Sequence, residues 1–164
     1  MLIGLISDTH ENMPLIAQAV KCLNDAGVNL VLHAGDLISP ITAKEFKKLN
    51  SRMIAVFGNN DGERDMWRER IRDWGEIYDN FETVAEGCRI LMMHVPIHLE
   101  ELAASQCYDV IVYGHTHRVD ERRVGKTLII NPGECGGWLT GKSTLALLDL
   151  PDKKVSFVDI HTAK

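Results

Sequence analysis

The sequence predicts an α/β domain in which parallel strands are followed by additional antiparallel strands. Three observations support this. Apolar runs such as "VNLVLHAGD" are continuous, which is typical of strands covered on both faces. Helical periodicity separates the early runs, and the second half of the chain contains short apolar runs divided by turn residues. Because 164 residues suffice for one well-packed core, we expect a single domain over residues 1–164.

The first third of the chain alternates predicted strands and helices. The strands are "MLIGLIS", "VNLVLHAGD" and "RMIAVFGNND". Between them, "ENMPLIAQAVKCLNDAG" has apolar residues at helical spacing and stops at Gly27, and "PITAKEFKKLN" is also predicted to be a helix. After Asp61, the charged stretch "GERDMWRERIRDWG" has a periodic apolar side, which indicates a helix on the surface.

The second half is richer in β-structure. The predicted strands lie in "FETVAEG", "CRILMMHV", "YDVIVYGHTH", "VDERRVGKTLIINPG", "KSTLALLDL" and "KVSFVDI". The short segments "VGKT" and "LPDKKV" are typical of hairpin connections, so we expect two antiparallel pairs there.

Composition narrows the classes of function. A net charge of −5 without a basic run argues against a stable nucleic-acid complex and against a membrane-surface helix. No apolar run approaches the ~20 residues that a membrane span needs. The four cysteines are dispersed and no leader pattern is present, which indicates a cytoplasmic protein with reduced thiols. Core packing is expected for Trp67, Trp74 and Trp138, although covering the site or a subunit contact in a homo-oligomer stays open.

Polar side chains of metal-binding type follow five of the predicted strands. They are Asp8, His10, Asp36, Asn59, Asn60, Asp61, His94, His115 and His117. Because the carboxyl ends of strands in α/β sheets converge on one crevice, we expect these side chains to lie together. Nitrogen and oxygen donors of this kind suit manganese, iron, nickel or zinc.

The spacing of these residues also favours a shared site. Asp8 and His10, like His115 and His117, are two residues apart, so extended backbone would point both side chains of each pair to one face. Glycine precedes three of the candidates, at Gly35, Gly58 and Gly114. Sharp turns at strand ends favour a residue without Cβ. The candidate ligands exceed the capacity of one ion, which predicts two ions about 3.5–4 Å apart with one carboxylate bridging them.

Four other residues capable of metal binding are left out of the site. His33 lies inside an apolar run and is expected to be a hydrogen-bonded core histidine. His98 and His161 are expected at the surface, and Cys135 is expected to be a packed thiol instead of a nucleophile.

This set of motifs resembles that of the calcineurin-like metallophosphoesterase superfamily, whose blocks run D-x-H, G-D, G-N-H/C-D/E, H and G-H-x-H. The corresponding residues here are Asp8-Thr9-His10, Gly35-Asp36, Gly58-Asn59-Asn60-Asp61, His94 and Gly114-His115-Thr116-His117. The later "NPGE" is similar to the N-P-G-S of small bacterial and archaeal members. Length, order and spacing resemble the compact phosphodiesterases that have no accessory domain.

The resemblance implies a four-layer αββα sandwich of two mixed β-sheets flanked by helices. It also implies a ligand assignment: Asp8, His10 and His117 to one divalent ion, Asn59, His94 and His115 to the other, with Asp36 bridging. Manganese is the expected metal, with nickel, iron (Fe²⁺/Fe³⁺) and zinc as alternatives. An amide oxygen at Asn59 adds no negative charge beside an incoming phosphate.

The function implied is hydrolysis of a small phosphodiester. Two ions would polarise the phosphoryl oxygens and lower the pKa of a bridging water towards ~7, so that hydroxide attacks the phosphorus. The alternative is a non-catalytic protein-binding scaffold, like the retromer subunit that resembles this fold. That scaffold lacks part of the histidine set, whereas His10, His94, His115 and His117 are all present here, which favours catalysis. A recombination-type nuclease has little support, since the chain lacks a basic groove.

Two positions depart from the superfamily pattern. Asn60 replaces the histidine that acts as general acid, and Val95 replaces a common glycine. The amide of Asn60 can donate a hydrogen bond to a phosphoryl or leaving oxygen, but it has no titratable proton to transfer. Asp61 is predicted either to hold the ligand loop in place or to cap the helix that follows.

Overall fold

A computed structural model describes residues 1–161 as two mixed β-sheets with helices on their outer faces. The strands are β1 (Leu2–Ile6), β2 (Leu30–His33), β3 (Arg52–Val56), β4 (Gly75–Tyr78), β5 (Phe81–Ala85), β6 (Cys88–Met92), β7 (Val110–Val112), β8 (Val119–Val124), β9 (Thr127–Pro132), β10 (Thr144–Asp149) and β11 (Lys154–Asp159). The helices are α1 (Met13–Ala26), α2 (Ala43–Phe46), α3 (Arg64–Ile71) and α4 (Leu99–Ala104), with a 3₁₀ turn at Pro40–Thr42.

Each sheet combines parallel and antiparallel pairs. The six-stranded sheet has the order β11-β10-β1-β2-β3-β4, with β1 to β4 parallel and β10 antiparallel to β1. The five-stranded sheet has the order β5-β6-β7-β9-β8, with parallel strands β6, β7 and β9 between two antiparallel edges. Both predicted hairpins are confirmed, because β8 pairs with β9 and β10 pairs with β11.

Three apolar layers hold the fold together. Between the sheets, Leu5 of β1 and Ile90 of β6 lie in one buried cluster. On the outer face of the six-stranded sheet, Ile16 of α1 packs in a second cluster, and Leu99 of α4 belongs to a third on the five-stranded sheet. Both sheets are therefore covered on both faces, which explains the continuous apolar runs and confirms the predicted αββα order.

Helix α1 begins and ends where the sequence predicts. The side chain of Asn12 accepts a hydrogen bond from the backbone N–H of Leu15 at the start. Gly27 adopts a left-handed conformation at the end, with φ 67°, where a side chain would be strained. Because α1 begins at Met13, the loop after β1 ends at the start of this helix.

Two elements were not predicted, and the predicted surface helix is too long. Helix α3 stops at Ile71, and after a turn at residues 72–74 the chain forms β4, which pairs with β3 through Met53 and Gly75. The short helix α4 was missed entirely. The predicted helix "PITAKEFKKLN" is a 3₁₀ turn followed by the four-residue α2.

The residues excluded from the site lie where the sequence indicated. His33 is fully buried and its ring nitrogens contact Thr9 Oγ1 and the Gly35 amide, both at 3.2 Å. His98 and His161 are exposed, and Cys135 is buried. Among the described residues, no helix is both long and apolar enough to cross a bilayer.

The three tryptophans differ in position. Trp67 is buried and Trp74 packs against the core, as expected. Trp138 is 65% exposed, so the expectation of core packing is wrong at this position.

Candidate metal centre

The candidate ligands meet at a seam between the two sheets. The six-stranded sheet contributes the residues after β1, β2 and β3, which are Asp8, His10, Asp36 and Asn59. The five-stranded sheet contributes the residues after β6 and β7, which are His94, His115 and His117. The predicted convergence of strand ends therefore brings all seven side chains together, although it joins two sheets instead of one.

The ligand loops are held in left-handed backbone conformations. Five candidate ligands have positive φ: Asp8 (52°), His10 (41°), Asp36 (59°), His115 (68°) and His117 (59°). The explanation from alternating extended residues is therefore wrong, since tight turns aim these side chains. Such conformations cost on the order of 1 kcal/mol or more for residues with a Cβ, and they cluster at functional sites.

Close approach explains the glycines before the ligands. A Cβ on Gly58 would overlap Asp36 Oδ1, and one on Gly114 would overlap Ser7 Oγ. Gly35 combines both constraints, because its φ is 94° and a Cβ would lie 2.6 Å from His94 Nδ1. The ligand loops of the two sheets can pack this tightly only without side chains at these positions.

The first group of donors consists of Asp8, His10 and His117. Nε2 of His117 lies 3.4 Å from Asp8 Oδ1, and Nε2 of His10 lies 3.8 Å from the same oxygen. These separations are too long for hydrogen bonds, but they suit atoms that share a cation at about 2.0–2.2 Å each. Among the described residues, His10 Nε2 is buried without a hydrogen-bond partner, which fits a metal ligand. The unpartnered nitrogen of His117 is Nδ1, which faces Glu134 instead.

Asp8 is arranged to be negatively charged next to a cation. Its Oδ2 accepts hydrogen bonds from Ser7 Oγ at 2.6 Å and from the His115 amide at 3.1 Å. Its side chain is fully buried, and burial raises the pKa of this carboxyl. A bound divalent cation would favour the ionised form.

Asp36 lies between the two groups of donors. Its Oδ2 is 3.6 Å from His10 Nε2 and 3.5 Å from His94 Nε2. Burial alone would raise the pKa of Asp36, but the nearby His94 ring and two hydrogen bonds from Asn60 hold it below the usual range. The Asn60 backbone amide donates to Oδ1 at 3.0 Å and its side-chain amide donates to Oδ2 at 2.7 Å.

The second group, Asn59, His94 and His115, is joined by hydrogen bonds. Nδ1 of His94 donates to the Ala34 carbonyl at 2.8 Å, which directs Nε2 to the centre. Oδ1 of Asn59 lies 3.0 Å from His94 Nε2 and 2.9 Å from His115 Nδ1. Burial would lower the pKa of His94, but Asp36 raises it above the ordinary value, so a proton on Nε2 can occupy the direction of a cation.

Asp61 ties two ligand loops together. Its carboxylate accepts hydrogen bonds from the backbone amides of Asp36 (3.1 Å), Ile38 (2.6 Å) and Gly58 (2.6 Å). Burial raises the pKa of Asp61. The alternative that Asp61 caps the following helix is wrong, because Glu63 holds the N-cap position of α3.

The sequence matches a known family over almost its whole length. Residues 1–153 match the calcineurin-like phosphoesterase superfamily domain. The chain belongs to this superfamily. It is 42% identical over 159 residues to the phosphodiesterase MJ0936 of Methanocaldococcus jannaschii, covering 94% of this chain and 96% of that protein. It is 27% identical over 152 residues to the Escherichia coli phosphodiesterase YfcE, covering 81% and 78%. The predicted resemblance is confirmed.

Solved structures agree on the superfamily fold. An archaeal phosphodiesterase superposes with a TM-score of 0.93 at 39% identity, covering 98% of this chain and all (100%) of that chain. Vps29 of Entamoeba histolytica in complex with Zn²⁺ gives a TM-score of 0.70 at 20% identity, covering 98% and 100%. At that identity the second match shows the fold alone.

Glu134 was not assigned a role from the sequence. It is the last residue of "NPGE", where small superfamily members have a serine, and it is 1% exposed. Its Oε1 lies 3.5 Å from Nδ1 of His117, and its carboxylate accepts hydrogen bonds from the backbone of residues 138–140. Burial opposes ionisation, but these bonds lower the pKa of Glu134, so it stays a carboxylate beside a candidate ligand. The replacement of serine by an acidic residue in this motif was the sequence signal for the position of Glu134 beside the candidate ligands.

Proposed function

We propose that this chain is a dinuclear metal-dependent phosphodiesterase. The observation that carries the proposal is the position of Asp36, whose Oδ2 lies within 3.6 Å of a histidine nitrogen from each donor group. A carboxylate oxygen between two sets of nitrogen and oxygen donors is the arrangement of two-metal hydrolytic sites. Identity of 42% to a phosphodiesterase across almost the whole chain supports the reaction class.

The donors divide into two sets in this proposal. Asp8, His10 and His117 hold one ion, and Asn59, His94 and His115 hold the other. Asp36 joins the two sets, although Asp8 also lies close to both Asp36 and His94. Manganese is the proposed metal, with nickel, iron and zinc as alternatives that accept the same donors. When bound, two such cations neutralise the phosphate and activate a water molecule for attack on phosphorus.

Asp61 and Asn60 position the candidate ligands, and Asn60 also limits how the leaving group can be protonated. Asp61 fixes the backbone of the loops that carry Asp36 and Asn59. The Asp36 carboxylate itself is oriented by two hydrogen bonds from Asn60. The amide of Asn60 donates to Asp36 and is exposed, so it can exchange this contact for a phosphoryl oxygen. It has no proton to transfer, which leaves the departing oxygen without a side-chain general acid at this position.

A protein-binding scaffold is the competing function. The structural neighbour Vps29 is recorded in complex with Zn²⁺, so metal binding by itself does not separate the two functions. The complete histidine set and the identity to phosphodiesterases favour catalysis here.

Turnover with defined metal content tests the proposal. Protein stripped of metal and reloaded with manganese should approach two ions per chain and hydrolyse bis(p-nitrophenyl) phosphate. His98→Ala, at an exposed histidine outside the centre, should retain this activity, whereas His10→Ala should lose it. Full metal loading without hydrolysis of any diester would instead support the scaffold.

The choice of leaving group tests the role of Asn60. Because general acid catalysis is worth ~10²–10⁴-fold and matters most for poor leaving groups, aryl diesters should react far faster than alkyl diesters. Asn60→His should raise alkyl diester activity more than aryl activity and add a pH dependence near the histidine pKa. Equal rates for matched alkyl and aryl diesters in the unmodified protein, with chemistry rate-limiting, would contradict this account.

A further inference from the structure

The loop that begins after Glu134 presents an aromatic side chain to solvent beside the candidate centre. Trp138 is 65% exposed and its neighbour Leu139 is 76% exposed. The indole N–H of Trp138 donates a hydrogen bond to the backbone carbonyl of His10 at 3.0 Å. The ring is therefore fixed at the rim of the centre although most of its surface faces solvent.

The loop is held in place along its length. Three successive backbone amides, of Trp138, Leu139 and Thr140, donate to the carboxylate of Glu134 at 2.6–3.2 Å. The Thr140 hydroxyl donates to the same carboxylate at 2.9 Å. A loop with this many bonds to one buried charge is ordered before any ligand arrives.

The first residues of the loop are hydrogen-bonded to the backbone around the candidate ligand Asp8. The backbone amides of Cys135 and Gly136 donate to the carbonyls of Ser7 and Asp8 at 2.9 and 2.8 Å. A Cβ on Gly136 would lie 2.8 Å from the Thr9 carbonyl, so only glycine allows this approach. Trp138 is thus positioned relative to Asp8 and His10 by direct contacts.

A rigid, exposed aromatic ring next to a phosphate-binding centre is suited to stacking. Burying the ring in the core would have been the favourable use of its apolar surface, and this loop keeps it outside. Stacking on a flat aromatic group needs no hydrogen-bond pattern, and it loses little entropy because the indole is already fixed.

We propose that Trp138 is a specificity-determining residue that stacks on an aromatic ring carried by the substrate phosphate. The substrate class is then a phosphodiester that carries a nucleoside or an aryl group on one ester arm, so that the stacked group need not be the leaving group. This inference rests on the proposed function, because the phosphate must bind at the candidate metal centre.

Binding of two phosphate monoesters to the manganese-loaded protein tests the stacking role. Adenosine 5′-phosphate and methyl phosphate share the phosphate group and differ in the nucleoside, whose base is its aromatic part, and calorimetric titration gives a Kd for each. Trp138→Ala should weaken adenosine 5′-phosphate binding by ~5–50-fold and leave methyl phosphate unchanged. Trp138→Phe should retain most of the preference for adenosine 5′-phosphate. Val84→Ala, an exposed apolar position on β5, should change neither Kd.

Several outcomes would overturn the inference. Equal Kd values for the two esters in the unmodified protein, or equal loss of both in Trp138→Ala, would mean that the ring only supports the loop. A halved mass of Trp138→Ala in sedimentation would assign the ring to contact with a second copy of the chain. Failure to bind both manganese and methyl phosphate would refute the proposed function together with the inference, whereas methyl phosphate binding without a preference for the base refutes stacking alone.

Discussion

The two donor groups of the candidate centre differ in how their atoms are occupied. In the group of Asp8, His10 and His117, the ring nitrogens lie 3.4 and 3.8 Å from Asp8 Oδ1, beyond hydrogen-bond distance. In the group of Asn59, His94 and His115, both rings lie within 3.0 Å of the Asn59 amide oxygen. The first group is held open by the surrounding loops, whereas the second is closed by its own hydrogen bonds.

The two groups also differ in how firmly the surrounding structure holds their side chains. The first group is half-buried or buried and is supported by Ser7 and Glu134, while Asn59 and His115 in the second group are exposed. Preorganised donors bind without a conformational cost, but donors that bond one another must first separate. We therefore expect the two groups to respond differently to metal and to mutation.

The largest effect should come from Asp36, which the two groups share. Asp36→Asn should weaken both metal sites and reduce turnover by more than ~10²-fold, since loss of a direct ligand should exceed the 10–100-fold typical of supporting residues. His117→Ala should weaken mainly the first site. Metal analysis and kcat of the two variants, with His98→Ala as the control, check this. Identical behaviour of the two variants would show that the division into groups is wrong.

Replacing Glu134 should affect the two donor groups differently, although Glu134 belongs to neither. Glu134→Gln places an amide N–H₂ among the three backbone N–H groups of residues 138–140 and removes the charge next to His117. Affinity for the first ion should fall by ~10–100-fold with the second ion little changed, as measured by manganese titration. The matched control is Glu101→Gln, at an exposed position on α4. Equal weakening of both ions would contradict a role confined to the first group.

The two metal ions should bind in two steps of different affinity, because the donors of the second group are hydrogen-bonded to one another. Binding there must break two bonds to Asn59, each worth about 0.5–1.5 kcal/mol, so the first ion should bind at least ~5-fold more tightly than the second. Calorimetric titration of metal-free protein with manganese measures both steps. In His117→Ala the tighter step should be lost, and its persistence would place the tighter site in the second group.

His33 belongs to neither group and should affect the stability of the fold instead of metal binding. Burial lowers its pKa to about 3, so between pH 6.5 and about 3 the unfolded chain binds a proton that the folded chain does not. Its contribution to stability is therefore lost as pH falls through this window. From pH 6.5 to 5 the metal-free protein should lose about 1.6 kcal/mol more than His33→Gln in urea unfolding. Parallel pH dependence of the two proteins would contradict the burial effect.

The helices and strands that a local sequence pattern marks were predicted from the sequence. Long amphipathic α1 and the continuous strands were found because periodicity and capping residues mark them. Strand β4 was missed because its four residues follow a charged helix and are stabilised by pairing with β3, a contact that the sequence does not display. The six-residue α4 was missed for a similar reason, since it is stabilised by packing of Leu99 and Ala103 on the sheet.

The candidate site was predictable as a set of residues but not as a geometry. Each candidate ligand follows a strand, so their convergence could be inferred from the topology of α/β sheets. The turns that aim them could not, because left-handed backbone at aspartate and histidine carries no local sequence signal as strong as glycine. The role of Trp138 depends on a contact across more than a hundred residues, from the loop before β10 to the loop after β1. That of Glu134 depends on its position next to His117 and on the backbone of residues 138–140.

The position of the centre at the seam of the two sheets gives metal a second role. Any ion held by donors from both sheets acts as a cross-link that exists only in the folded state, and at a free concentration 100 times Kd it adds about 2.7 kcal/mol to the free energy of unfolding. When metal is scarce this contribution is lost, and the unfolded chain, which proteases cleave, becomes more populated. The supply of divalent metal would then set how long the protein survives as well as how fast it works.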